Sequence, residues 1–335
     1  MVERATYNKP TTTPSFKPMS SRLLPGILPF LSAIWLTACQ SINDLQPQPD
    51  ALPASVVQLL QAEFPGYEAI TVSPLEKGRV WNARLTVAAD QYDLVVSRRK
   101  ILSKFRLVSK QMPDGLVKEV SGTVLDGGKF SDFRERKRKI GEFPDKEFSA
   151  RYSWNGWEFF TDWTSLIHMS GRINFYPDVD VKYYTEDQND LPEGIQQIIG
   201  RKINEARLDP KHPRLLEFNN ARVYHYNNQK KSYEIDFWGT KLEIGSNGQV
   251  IFWNFGEGFN NGFDVLLDRA DLPEEIASYL NKDLVANTFP GFIATSFKDN
   301  EKKSYRVILS NNRFLYIMYF DDKNTLVRHY FEKYV

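Results

Sequence analysis

The strongest constraint on the fold is a recurrence. Four places in the chain open in the same way: Leu52-Pro53-Ala54-Ser55-Val56, Met112-Pro113-Asp114-Gly115-Leu116, Leu191-Pro192-Glu193-Gly194-Ile195 and Leu272-Pro273-Glu274-Glu275-Ile276. A repeated segment has to be read before any single element, because it sets the architecture. Proline suits the first helical turn, whose N–H groups have no intrahelical partner. Asp190 and Asp271 stand ahead of two of these starts as candidate caps. Apolar residues then follow at helical spacing: Val56, Leu59, Leu60 and Phe64; Ile195, Ile198, Ile199 and Ile203; Ile276, Leu280 and Leu284. The second start fits least. Leu116 and Val120 run into Ser121-Gly122 and Asp126-Gly127-Gly128, which predicts a short or missing helix. Phe64-Pro65-Gly66 and Phe289-Pro290-Gly291 read as helix ends.

Strands are expected after each helix. Trp81-Asn82-Ala83-Arg84-Leu85, Trp157-Glu158-Phe159-Phe160-Thr161, Tyr233-Glu234-Ile235-Asp236-Phe237 and Tyr305-Arg306-Val307-Ile308-Leu309 each open on an aromatic and alternate with the period of a half-buried strand. Aromatics make up 14% of the chain, a surplus that favours strands. Tyr233–Asn254 aligns with Trp157–Tyr176, and Asn247-Gly248 and Ser170-Gly171 fall at the matching hairpin turn. Asp321-Asp322-Lys323-Asn324 takes that place in the fourth copy. The expected fold is therefore α+β, with about four tandem helix-plus-antiparallel-meander repeats. The repeats are expected over residues 52–110, 111–185 (a degenerate copy), 186–268 and 269–335. In the fourth, Ile276 and Leu280 should face Tyr305, Val307 and Leu309, leaving the Ile308 face solvated.

The Leu-Pro start, amphipathic helix, Phe-Pro-Gly turn and aromatic-led meander resemble the PepSY-like repeats, also called the beta-lactamase-inhibitor-like family. These are common in Bacteroidetes-type lipoproteins and periplasmic proteins. The resemblance covers most of residues 52–331. It implies repeats paired into larger curved sheets and binding or inhibition of a partner protein. It carries no catalytic residues over to this chain.

The N-terminus reads as a targeting segment. Residues 23–36 are 14 residues without a charge, after Lys17 and Arg22. That length suits the apolar region of a signal peptide and is short for a spanning helix. Leu36-Thr37-Ala38-Cys39 resembles the lipobox of bacterial lipoproteins, and Cys39 is the one cysteine of the chain. The resemblance implies cleavage before Cys39, a diacylglycerol on its sulfur and acylation of the new amino group. Two or three acyl chains anchor stably where one does not. Residues 1–38 are thus expected to be a lipoprotein signal peptide and residues 39–51 a polar tether. Gln40 favours the outer membrane, since an Asp there would direct inner-membrane retention in enterobacteria. Met19 would give a more usual start than Met1. Without residues 1–38 the formal charge is about −2.

Chemical motifs are sparse. The chain has four histidines, none in HxH or HxxxH spacing, and no GxSxG, HExxH, P-loop or GxGxxG. No catalytic residue, metal site or cofactor is expected. Asp178-Val179-Asp180, with Glu186, Asp187 and Asp190, makes an acidic stretch that reads as a solvated junction rather than a calcium loop. Arg134-Glu135-Arg136-Lys137-Arg138-Lys139 reads as a solvated edge or hairpin, with anionic lipid or polysaccharide as the lesser reading. Among the clustered aromatics, Trp157 and Phe159 should face the helix, while Trp154 and Trp163 are the candidate binding aromatics. These features point to a lipid-anchored extracytoplasmic binding protein without catalysis. Its expected partner is an envelope protein that it inhibits or scaffolds, with polysaccharide also open and nucleic acid not expected. An envelope hydrolase or carbohydrate-binding enzyme on a β-rich scaffold, and a structural envelope component, stay open as rivals.

Overall fold

Three helices begin directly after the recurrent prolines. Pro53 precedes α1 (Ala54–Glu63), whose Val56 and Leu60 are buried, and Gly66 at φ +78° turns the chain after it. The computed structural model describes residues 52–110, 114–140, 143–165, 171–208, 215–254, 265–283, 285–299, 301–312 and 314–334. Four strands follow α1: β1 (Ala69–Glu76), β2 (Val80–Val87), β3 (Asp90–Ser97) and β4 (Ile101–Ser109). α2 (Asp114–Val120) has only seven residues, as the glycines after it predict. Five strands come next: β5 (Lys129–Ile140), β6 (Phe143–Trp154), β7 (Trp157–Ser165), β8 (Arg172–Pro177) and β9 (Val179–Thr185). Pro192 then precedes α3 (Glu193–Arg207). It leads to β10 (Asn220–Tyr226), β11 (Lys231–Asp236), β12 (Lys241–Ile244), β13 (Val250–Asn254) and β14 (Val265–Leu267). Pro273 precedes α4 (Glu274–Lys282), which is followed by β15 (Gly291–Asp299), β16 (Lys302–Asn311), β17 (Phe314–Phe320) and β18 (Leu326–Tyr334).

The α+β expectation of four helix-plus-meander repeats is overturned by how these strands are shared. The described residues are mostly β and form two antiparallel sheets. One has thirteen strands in the order β1 to β8, then β18, β17, β16, β15 and β14. The other has five, β13-β12-β11-β10-β9. No sheet belongs to one expected unit. β8 zips onto β18 through Phe175 opposite Phe331 and Asn174 opposite Glu332, joining the second region to the fourth. β9 leaves the second region and pairs with β10. The physical reason is the open edge of a short meander. Its unpaired N–H and C=O groups are satisfied by the next meander's last strand more fully than by water.

Two smaller expectations also change. Asp190 and Asp271 do not cap α3 or α4, whose starts have no side-chain cap. Asp190 accepts from Thr185 Oγ1 at 2.6 Å, and Asp271 accepts from the Asp268 backbone N–H at 3.2 Å within a 3₁₀ turn. Phe289-Pro290-Gly291 does not end α4. That helix stops at Lys282, where Asp283 Oδ1 accepts from the backbone N–H of Val285 and Ala286 at 2.8 and 3.1 Å.

Both faces of the large sheet are covered around β16 to β18. On one, Ile276 and Leu280 of α4 pack with Val307, Leu309, Tyr316, Phe331 and Phe175. On the other, Ile308, Ile317 and Tyr319 meet Ile251 and Phe252 of β13, so the expected solvated face is closed by the second sheet. The contact between the sheets is partly ionic. Arg328 of β18, 2% exposed at its side chain, donates to Glu243 at 2.6 Å and to Glu234 at 3.4 Å. Its guanidinium lies 4.4 Å from the Tyr224 ring centre and 5.2 Å from that of Tyr330. Arg222 donates to Glu234 at 2.6 Å and Tyr319 OH to Glu243 at 2.8 Å. The inside of the molecule thus carries fixed charges where the five-stranded sheet seats on the large one.

Candidate functional site

Period-two alternation puts one set of polar side chains on the inner face of β2 to β6. Asn82 and Arg84 share that face of β2, Asp93 that of β3, Arg134 that of β5 and Arg151 that of β6. Opposite them runs β9, which among the described residues pairs with β10 alone and leaves its other edge without a strand. The face and the edge frame a cleft of about 90 Å³ that opens to solvent.

Charges alternate around the cleft. Arg84 Nε lies 2.8 Å from Asp93 Oδ1, and the two residues are cross-strand partners. Arg134 reaches the other oxygen of Asp93 and stands 3.9 Å from Asp132. Arg151 donates to the carbonyls of Val179 and Asp180 at 2.9 and 2.7 Å and to the Asp180 carboxylate at 2.8 Å. A guanidinium therefore occupies part of the edge that another strand would take. At the inner end Lys182 holds Asp162 and donates to Tyr176 OH at 3.2 Å. Burial, then the neighbouring guanidiniums of Arg84 and Arg151, bring Arg134 down to about 10. Its buried Nε has no hydrogen-bond partner among the described residues. Chemically, the wall offers forked donors beside carboxylate acceptors, which suits a neutral ligand that both gives and takes hydrogen bonds.

The structure distributes the sequence-derived candidates differently. Trp154 and Trp163 are half-buried and pack against the α4-side core rather than lining the cleft. The Trp154 indole donates to the Asp126 carbonyl at 2.9 Å. Trp157 and fully buried Phe159 join that same core, while Phe160 faces the cleft beneath Arg151, whose guanidinium lies 5.8 Å from its ring centre. The acidic stretch divides: Asp180 enters the cleft, Asp187 pairs with Arg99 at 3.0 Å, and Asp190 is buried. The basic run lies on β5: Arg134 and Glu135 are flanked by β4 and β6, while residues 136–139 pair with β6 alone, as one arm of a hairpin. Arg134 turns into the cleft, and Arg136 stands 3.6 Å from Glu147.

The histidines give the cleft no acid–base group among the described residues. His225 is buried 3.8 Å from Glu76, and burial, then Lys231, push it down to about 3. His329 bonds Tyr316 OH at 2.9 Å and burial pushes it down to about 4. His168, His212 and the lipobox residues Leu36, Thr37, Ala38 and Cys39 lie outside the described residues. Sequence reasoning missed Arg84, Asp93 and Arg151 because each is an ordinary charged residue on its own strand; only strand pairing brings them together. Comparison of the chain with protein-family models, with curated proteins and with solved structures yields no match.

Proposed function

We propose that this chain is a lipid-anchored, extracytoplasmic binding protein that acts without turnover. Its ligand is a hydroxyl-rich chain, a polysaccharide segment, taken into the Arg–Asp cleft. One observation carries this reading: guanidinium and carboxylate groups alternate along an open concave wall. A sugar hydroxyl donates to one and accepts from the other, so neighbouring hydroxyls meet both at once. A protein partner would instead favour a desolvated apolar centre, and the cleft wall is mostly polar or charged. The anchor supports the extracytoplasmic part, since a lipid on Cys39 would hold the chain at a membrane.

Two measurements test the two halves of the reading. Labelled palmitate is expected to enter the full chain, and Cys39→Ala to abolish the label; labelling of the variant would remove the anchor. For the cleft, calorimetric titration with envelope polysaccharide fragments should show binding. Arg84→Gln and Asp180→Asn are each expected to weaken it by about tenfold, the worth of one charge-assisted hydrogen bond. Both side chains are largely exposed, so the fold should tolerate the changes. Absence of binding, or an affinity unchanged from the parent in both variants, would overturn the ligand assignment.

A further inference from the structure

A second concavity, remote in chemistry from the cleft, gathers positive charge at the hairpin tips. The β1–β2 turn brings Lys77 and Arg79, and the β3–β4 turn brings Arg98 and Arg99, to one hollow of about 330 Å³. Two carboxylates, Asp187 and Asp190, line it as well. The cations therefore exceed the carboxylates by two.

The cations are not all engaged. Arg99 pairs with Asp187 at 3.0 Å. Arg79 donates to the backbone carbonyls of Asn189 and Leu191 at 3.0 and 2.9 Å, which fixes its guanidinium, and its charge also acts on the Glu76 carboxylate. Lys77 and Arg98 have no ion pair or hydrogen-bond partner among the described residues. Asp190 is buried, and one of its carboxylate oxygens accepts from Thr185 Oγ1 at 2.6 Å.

Both turns are held in place. Gly78 takes φ +65°, and a Cβ there would stand 3.4 Å from Arg98 Nη2, so the Arg98 guanidinium lies over the glycine. Ser97 Oγ accepts from the backbone N–H of Arg99 and Lys100 at 3.3 and 3.2 Å, which shapes the other turn. An anion would thus meet donors that are already placed.

We infer that this hollow is a phosphate-monoester site. Three arginine forks suit phosphate oxygens better than a single carboxylate. The excess of two positive charges matches a phosphomonoester, which carries about −1.5 to −2 near neutral pH. The source is a monoester headgroup at a membrane surface or a soluble phosphate ester. The site is independent of the polysaccharide cleft.

The test uses the full chain carrying Cys39→Ala, so that acylation contributes nothing to vesicle binding. One arm titrates inorganic phosphate by calorimetry. The other sediments phosphatidylcholine vesicles containing phosphatidic acid, a monoester, against vesicles containing phosphatidylglycerol, a diester. Binding in the phosphate arm identifies a soluble source; binding to phosphatidic acid vesicles alone identifies a headgroup. In either arm Lys77→Gln with Arg98→Gln is expected to weaken binding by at least about tenfold. Those two side chains are exposed and unpaired, so the double variant should melt like the parent. Failure of both arms, equal binding to monoester and diester vesicles, or unchanged affinity in the double variant would overturn the assignment. Arg84→Gln should leave phosphate binding unchanged, and a loss there would place the anion in the cleft instead.

Discussion

Arg328→Met is expected to lower stability by about 3–5 kcal/mol, the usual cost of removing one partner from a buried ion pair. Methionine keeps much of the stem volume, so the loss isolates the charge. Arg328 is the link between Glu234 and Glu243, and both carboxylates sit where the two sheets meet. Burial alone would raise Glu234; Arg222, Lys241, Arg328 and Lys182 outweigh it and hold the group well below the usual carboxylate range. A carboxyl depressed in this way contributes stability that is present above its unfolded value of about 4.3 and is lost as pH falls through the folded value. Taking Arg328 away raises the folded value. The deficit of the variant should therefore be greatest near neutral pH and shrink as pH falls through that raised value. Urea melts between pH 7 and pH 4 measure it. A deficit that stays constant over that range would assign the loss to packing among Tyr224, Tyr319 and Tyr330 and not to charge. Adding Glu243→Gln should recover part of the loss, because one orphaned carboxylate is then neutral.

Helix starts were legible in the sequence because their cause is local. Pro53, Pro192 and Pro273 each need only a first turn to accept them, and each stands directly before a helix. Trp81, Trp157, Tyr233 and Tyr305 lie in strands for a similar reason, since alternation is a property of a few neighbouring residues. The pairing of those strands has no local cause. β8 could end a meander or zip onto another, and its six residues read alike in both cases. Phe175 meets Phe331 across more than 150 positions of chain, and nothing near either residue announces the other. The single repeat unit was read as a closed object for that reason, and the thirteen-stranded sheet was missed.

The candidate site was hidden by the same limit. Asp180 and Arg134 were visible only as members of an acidic and a basic stretch, whose solvated reading is the ordinary one. Their roles depend on β9 running beside the inner face of β5 and β6. Arg84 and Asp93 carried a weak signal: they lie nine apart on strands joined by a tight turn, which is the spacing of a cross-strand pair. Trp154 and Trp163 carried a strong signal for the wrong property. Large aromatics near strand ends suggest a surface platform, but here the α4-side core extends far enough to take them in. In both cases residue type was informative and position in the sheet decided the outcome.

Leu280→Ala is expected to cost about 2–5 kcal/mol, as buried leucine truncations do. Leu280 and Ile276, four apart on α4, are fully buried against Val307, Leu309 and Tyr316. The neighbouring aromatics Phe175, Phe314 and Phe331 are held by the sheet ladder, so the site has little freedom to collapse and the cost should fall in the upper half of that range. Ile308→Thr tests the opposite face. Ile308 is half-buried and packs with Ile251, Phe252 and Ile317, where an isolated repeat would have left it in water. Threonine removes a methylene contact and brings a hydroxyl toward an apolar surface, so about 1–2 kcal/mol is expected. The two side chains lie on opposite sides of one strand layer, and their costs should add in the double variant to within about 0.5 kcal/mol. Urea melts with constant slope decide it. A negligible effect of Ile308→Thr would mean that β13 does not seat on β16 in solution. The inner face of the large sheet would then be open to solvent there, and the ionic contact through Arg328 would lose the apolar packing beside it.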